Sequence, residues 1–269
     1  MTAESTPAYE TIRFAVEGNI AKITLNRPQR LNAAPPQMFE EIHQALKLLP
    51  GLGARALLIT GEGRAFCSGA DLQANAAAPA TSRGERTYKV LTESYGPTML
   101  ALSNLSVPVV TAVNGVAAGI GCSLALAGDF TLAGRSAYFL QAFVNIGLVP
   151  DGGSTWMLAR LAGKARATEM MMLGERISAD KAEQWGLIYR AVEDAELQAQ
   201  ALALAERLAQ GPTVALGLMR QGLAGALEQS YADAMNVEAK HQSIAANSAD
   251  ANEGGQAFLQ RRKAVFSGK

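Results

Sequence analysis

The chain has 269 residues, 49% of them hydrophobic, with 24 basic and 24 acidic side chains and a formal net charge of zero. That length is one large domain, or one domain with an appendage, and the apolar content can fill a substantial core. The charge balance excludes the basic surplus of a nucleic-acid binder and a general attraction to membrane surfaces, although a local basic patch can still grip a phosphorylated ligand.

The two cysteines, Cys67 and Cys122, fit no metal or redox spacing. They read as buried free thiols, which suits a reducing cytoplasm. His43 and His241 are the only histidines and lie in no motif that suggests a metal site or a Ser-His-Asp triad. Residues 1–5 show no basic-then-apolar leader, and no apolar run reaches the length of a membrane span without a charge or turn residue.

Along the chain, residues 9–25 read as two strands around a Glu17-Gly18-Asn19 turn. Pro35-Pro36 opens a helix with Met38, Ile42, Ala45, Leu46 and Leu49 on one face. Residues 54–60 are a short apolar strand, followed by a Gly61-Glu62-Gly63-Arg64 loop. Residues 73–85, rich in Ala, Asn, Pro and Ser, read as a loop able to act as a lid, with a helix from about 86 to 104 after it. A buried strand at 109–113, a glycine-rich helix start at 117–127, and short strands at 130–133 and 137–140 come next. Gly174 ends one helix, Ser178 starts another, and 187–192 is the last strand. Residues 194–264 are helical in pattern. Strands alternating with helices predict an α/β fold with an appended helical layer. The division falls at 195: residues 1–195 form the core and 196–269 the helical region.

Asp151 stands out within Leu148-Val149-Pro150-Asp151-Gly152-Gly153. From residue 94 to 168 the only carboxylates are Asp129 and Asp151, and there is no His. A lone carboxylate in apolar surroundings resists ionisation and so gains a pKa suited to general acid–base work. An Asp before Gly-Gly-Ser-Thr can equally be a helix N-cap. Two glycine-containing turns, Ser68-Gly69-Ala70-Asp71 and Gly119-Ile120-Gly121, follow strands and open helices. They can be tight turns built for packing, or they can aim free N–H groups at one point as an oxyanion hole. The second turn lacks the third glycine of a dinucleotide fingerprint, since Leu124 holds that place.

The chain resembles the crotonase (enoyl-CoA hydratase/isomerase) superfamily. The matching segments are Ile23–Pro28, Arg30–Ala33, Phe66–Leu72, Ala112–Gly119, Asp129, Gly147–Gly153, Ile177–Ala179, Trp185–Leu187 and Arg261–Lys263. Within that superfamily, Gln141–Phe143, Ile146–Asp151, Gly153 and Thr155-Trp156 resemble a branch whose substrate is an epoxidised phenylacetyl-CoA. The resemblance implies a spiral of ββα repeats with a C-terminal helical trimerisation layer, assembled as a homotrimer or a dimer of trimers. It implies an acyl-CoA thioester as ligand and no cofactor or metal beyond the CoA moiety. The thioester oxygen would sit between the N–H groups of Ala70 and Ile120, with Asp151 facing it as the single acid/base.

Ser68, Asp71, Leu72 and Gly119 would line the substrate in the two turns. Phe143, Trp156 and the loop at 73–90 would shape an apolar pocket. Arg27, Arg30 and Lys269 would meet CoA phosphates unless they are plain surface charges. Phe266 would stack on adenine or pack between subunits. Position 120 is usually glycine in the family, so the Ile120 side chain must point away or narrow the pocket. The two glutamates of the family's hydratases align with Ser123 and Phe143, so the groups that grip a water are missing. Ser123 is then a local hydrogen bonder, a packing residue or a minor participant. The expected activity is that of an isomerase. The alternatives are a hydratase, a dehalogenase-like nucleophile at Asp151, and an acyl-CoA binder without catalysis.

Overall fold

The computed structural model describes residues 8–73 and 82–269. At the N-terminal end β1 (Ile12–Glu17) and β2 (Ile20–Leu25) pair antiparallel as the hairpin the turn residues predict, with Gly18 at φ +59°. Pro36 opens α1 (Pro36–Leu48), which buries Met38, Phe39, Ile42, Ala45 and Leu46.

Three strand pairs follow: β3 (Ala56–Gly61) with β4 (Ala65–Cys67), β5 (Val109–Val113) with β6 (Val116–Ala118), and β7 (Phe130–Gly134) with β8 (Tyr138–Leu140). Each pair is followed by helix. After the first come α2 (Arg83–Val90), a π-helical turn at Leu91–Tyr95 and α3 (Gly96–Ser103). After the second comes α4 (Ile120–Leu126), and after the third α5 (Ser154–Leu173). Two later strands, β9 (Ile177–Ser178) and β10 (Arg190–Val192), flank α6 (Ala179–Gln184).

Within each pair the first strand joins a sheet ordered β1-β2-β3-β5-β7-β10, and the second joins a sheet ordered β4-β6-β8-β9. Successive repeats are parallel in both sheets. The chain therefore winds as a spiral of ββα turns between two sheets.

The strands β3 and β5 are wholly buried, which explains why their sequences are continuous apolar runs rather than alternating ones. One face packs on the main core. The other is covered by α7 (Leu197–Ala209), whose Leu197, Ala201, Ala205 and Ala209 cluster with Ala56, Leu58, Val110, Ala112 and Leu132. Small residues four apart let that helix lie close on the sheet. So α7, just past residue 195, is a layer of the sheet.

The remaining helices, α8 (Thr213–Gly225), α9 (Tyr231–Ala246) and α10 (Ala249–Leu259), bury little. Arg220 of α8 anchors them: its Nε donates to both Asp129 carboxylate oxygens at 2.7 and 2.6 Å. No helix among the described residues is long and apolar enough to cross a membrane.

Four elements differ from the sequence expectation. Residues 116–118 form β6 rather than the start of a helix, because they pair with β4 and β8. The two-residue β9 has too little pattern to be seen in sequence. Helix α2 begins at Arg83, not 86: Ser82 and Glu85 form a reciprocal capping box. The rest of the expected lid, 74–81, lies outside the described residues. The final residues leave the helix after Leu259, and the Asp250 carboxylate holds them by accepting from the Ser267 and Gly268 amides.

Candidate active site

The two glycine turns come together because the parallel pairing of β4 with β6 sets their C-terminal ends side by side. A Cβ on Gly119 would lie 3.8 Å from Gly69 Cα. Gly121 lets α4 press against β4, since a Cβ there would come within 2.6 Å of Cys67 Cβ. Gly69 (φ +110°) and Gly119 (φ +53°) both hold backbone conformations that favour glycine.

In the first turn, Gly69 O accepts from Ala34 N at 2.8 Å and Asp71 N donates to Ala34 O at 2.9 Å. Alternation along an extended chain then points the Ala70 N–H the other way, away from Ala34. In the second turn, Ile120 is the first residue of α4, a position whose N–H has no partner within the helix.

Asp151 follows Pro150 in a turn in which Gly152 and Gly153 have φ +59° and +82°. The carboxylate caps nothing: Gly153 is the N-cap of α5, and no side chain bonds there. Asp151 Oδ1 is buried and has no hydrogen-bond partner among the described residues. Burial alone pushes this carboxyl up from 3.8 to about 6. Of the two readings open from sequence, the geometry removes capping.

The main chain of Asp151, in contrast, is tightly held. Its carbonyl accepts from Ser154 N (3.1 Å), Ser154 Oγ (2.9 Å) and Ser123 Oγ (3.0 Å). Ser123 is fully buried on α4. Ile120 is also buried, and its Cδ1 lies against Gly152, where any Cβ would overlap it. Its side chain thus packs beneath the acid's turn. Phe143 is 7% exposed, and its ring edge lies 3.7 Å from the position of a Gly119 Cβ. That ring walls the second glycine turn.

Arg27 is tied to the first turn through one guanidinium nitrogen. Its guanidinium contacts the Asp71 carboxylate at 2.8 Å and the Ala33 carbonyl at 2.5 Å, which braces the first turn. Arg30 bonds Gln73. Ser68 donates its N–H to Leu31 O, and Leu72 is exposed. Trp156 is half exposed and donates from Nε1 to Glu228, with the Arg160 guanidinium 3.9 Å from its ring centre. Phe266 and Lys269 are held through their main chains at the C-terminal end. The Phe266 carbonyl accepts from Arg55, just before β3, and Lys269 O accepts from Asp250 N.

Two contributors escaped the sequence reading. Ser154 lies in a stretch where only its spacing from Asp151 hints at a role. Tyr95, buried on the π-helical turn, donates to Ala34 O at 2.8 Å and so braces the segment that pairs with the first turn. Burial chiefly, and the nearby Cys67, Asp151 and Asp71, push its acidity weaker still. Burial also raises the thiols of Cys67 and Cys122 to about 11 and about 12, so neither is a thiolate near neutral pH. Among the described residues no cluster of three or more His, Cys, Asp or Glu could hold a metal ion.

The structure thus holds a buried, unpartnered carboxyl on a turn packed against the start of α4, and two neighbouring turns whose Ala70 and Ile120 amides are not used by the local strand and helix pairing. A family model described as enoyl-CoA hydratase/isomerase matches residues 15–269. The 1,2-epoxyphenylacetyl-CoA isomerase of Escherichia coli (strain K12) is 41% identical over 97% of this chain and 99% of its own length. A Rhodobacter capsulatus protein named "Probable enoyl-CoA hydratase" is 42% identical over 97% of this chain and all of its own. The crystal structure of an enoyl-CoA hydratase from Bacillus anthracis superposes with a TM-score of 0.90 at 29% identity, covering 97% of this chain and 100% of that one. The crotonase fold is thus shared throughout, and this chain is an enzyme of the enoyl-CoA hydratase/isomerase family.

Proposed function

We propose that the chain is an acyl-CoA isomerase with Asp151 as its single acid/base. The ionised carboxylate takes a proton from a carbon α or γ to the thioester carbonyl, leaving an enolate. The N–H groups of Ala70 and Ile120 stabilise the charge on the enolate oxygen. The same carboxyl then returns the proton to a different carbon, so the reaction is redox-neutral and consumes no water. The CoA moiety is the only cofactor-like group required. The observation that carries this reading is the buried, unpartnered Asp151 Oδ1 with its carboxyl raised to about 6. The E. coli relative's name makes an epoxidised phenylacetyl-CoA the first acyl group to test.

The names of the relatives also favour a second reading, water addition to an enoyl-CoA. Against it stand the side chains at 123 and 143. Ser123 donates to a backbone carbonyl and Phe143 is apolar, so neither can act as the second acid of a water-gripping pair.

The experiment compares the chain with Asp151→Asn on 1,2-epoxyphenylacetyl-CoA, 3-hexenoyl-CoA and crotonyl-CoA. Isomerisation should fall by about 10²–10⁴-fold in the variant. In the unaltered enzyme kcat/KM should rise with pH through about 6, as the base form appears. Full activity in the Asn variant, or hydration of crotonyl-CoA that outpaces isomerisation, would sink the reading. The same family reading suggests assembly through α8–α10, as a trimer or pair of trimers, because apolar side chains such as Met219, Leu223 and Phe258 are exposed there in the protomer.

A further inference from the structure

The carboxylate and the main chain of Asp151 are treated in opposite ways. Oδ1 is buried with no partner among the described residues, so the local balance for the side chain favours escape to water. The turn that carries it contains two positive-φ glycines, Gly152 and Gly153, which adopt that conformation without strain and so do not by themselves fix the turn. Yet three donors converge on the Asp151 carbonyl: Ser154 N, Ser154 Oγ and Ser123 Oγ, all within 3.1 Å.

The two hydroxyls also lie 2.5 Å from each other. Each has one proton, so they work as a linked pair. Both hydroxyls are placed to donate to the Asp151 carbonyl or to each other, and Ser123 Oγ also lies 3.4 Å from the Gly119 carbonyl. Ser123 sits three residues along α4 from Ile120, on the same helical turn. Gly152 is seated on that turn: a Cβ there would overlap Ile120 Cδ1 and lie 2.9 Å from Ser123 Cβ.

We propose that Ser123 is a positioning residue. Through its hydroxyl, linked to that of Ser154, it locks the main chain of Asp151 to the first turn of α4 and so fixes the acid relative to the Ile120 amide. The proposal rests on the acid/base reading of Asp151. It also gives position 123, where the family's hydratases carry a glutamate, a different task. Gly152 is seated directly against Ser123, where even an added Cβ would lie 2.9 Å from Ser123 Cβ. The hydroxyl instead fixes the one proton carrier that remains.

The test measures kcat and KM for 3-hexenoyl-CoA in Ser123→Ala, Ser154→Ala, Asp151→Asn and the Ser123→Ala/Asp151→Asn pair. A misplaced acid lowers kcat with little change in binding. Ser123→Ala should therefore lose about tenfold in kcat while KM moves less than about twofold. Ser154→Ala carries the same expectation should Ser123→Ala not fold. In the Asp151→Asn background, Ser123→Ala should bring no further loss of the residual turnover, because the hydroxyl acts through Asp151.

An unchanged kcat in Ser123→Ala, beside a large loss in Asp151→Asn, overturns the positioning role alone. An equal fold loss on both backgrounds also overturns it, since that marks a structural part with no link to the acid. Full turnover in Asp151→Asn overturns the acid/base reading and this proposal with it.

Discussion

A buried carboxyl without a partner works against the fold whenever it is ionised. Asp151 is raised from 3.8 to about 6 by burial. Above about 6 the native state must carry a desolvated charge that the unfolded state carries in water, and stability is lowered. Below the unfolded value both states are protonated and the penalty vanishes, so this group's contribution improves as pH falls from about 6 to about 4. A shift of that size corresponds to at most about 3 kcal/mol, and partial exposure reduces it. Asp151→Asn removes the charge but keeps the shape. It should therefore melt higher than the unaltered chain at about pH 8 and equal it at about pH 3.5. Equal melting temperatures at both values would show that the carboxylate is not desolvated. Much of this was legible: an Asp in a tract poor in other carboxylates, before two glycines, marks itself. What the sequence left open was cap against catalyst, because both need the same residues. The glycine at the N-cap removes the cap reading. Ser154 was invisible as a partner because a serine after Gly-Gly is unremarkable until its hydroxyl is seen on the Asp151 carbonyl.

At the scale of elements, the site depends on how closely α4 approaches β4. The two glycine turns were readable as places where a chain can bend. Their meeting was not, because it comes from the three-residue strand β6 lying beside β4, and so short a strand has no period to detect. For that reason the sequence pattern runs β6 into the start of α4. Gly121 is where the approach is tightest. Its φ is not positive, so an alanine there has no backbone objection. The added methyl would, however, overlap the Cys67 carbonyl and come within 2.7 Å of Cys67 Sγ. Gly121→Ala should cost about 1–3 kcal/mol of unfolding free energy, measured by urea denaturation. The strain should also push the Ile120 amide away from the Ala70 amide, so turnover should fall more than stability explains. A variant of unchanged stability would mean that α4 and β4 can separate freely, and that their contact does not set the site.

At the scale of the molecule, the sequence showed an α/β body and a helical end, and the family resemblance supplied the spiral. Local patterning could not supply it, since the second sheet is made of strands two or three residues long. Helix α7 is amphipathic and closes the sheet, whereas α8 carries apolar residues outward. Met219 and Leu223, four apart on α8, are 60% and 76% exposed, and Leu227, in the turn just after the helix, is 69% exposed. An outward stripe of that kind on an otherwise well-anchored helix is a surface awaiting a partner. Arg220, next to Met219, already ties α8 to Asp129 and to the carbonyls of Leu102 and Leu105, so the stripe is presented on a fixed frame. Leu223→Glu places a charge at its centre without touching that anchor. Sedimentation should show the unaltered chain as an oligomer and the variant shifted toward the mass of one chain. The secondary structure of the separated protomer, read by circular dichroism, should be retained. If the unaltered chain sediments as a single protomer, or if the variant keeps its full assembly mass, the stripe is not the contact that holds the subunits together.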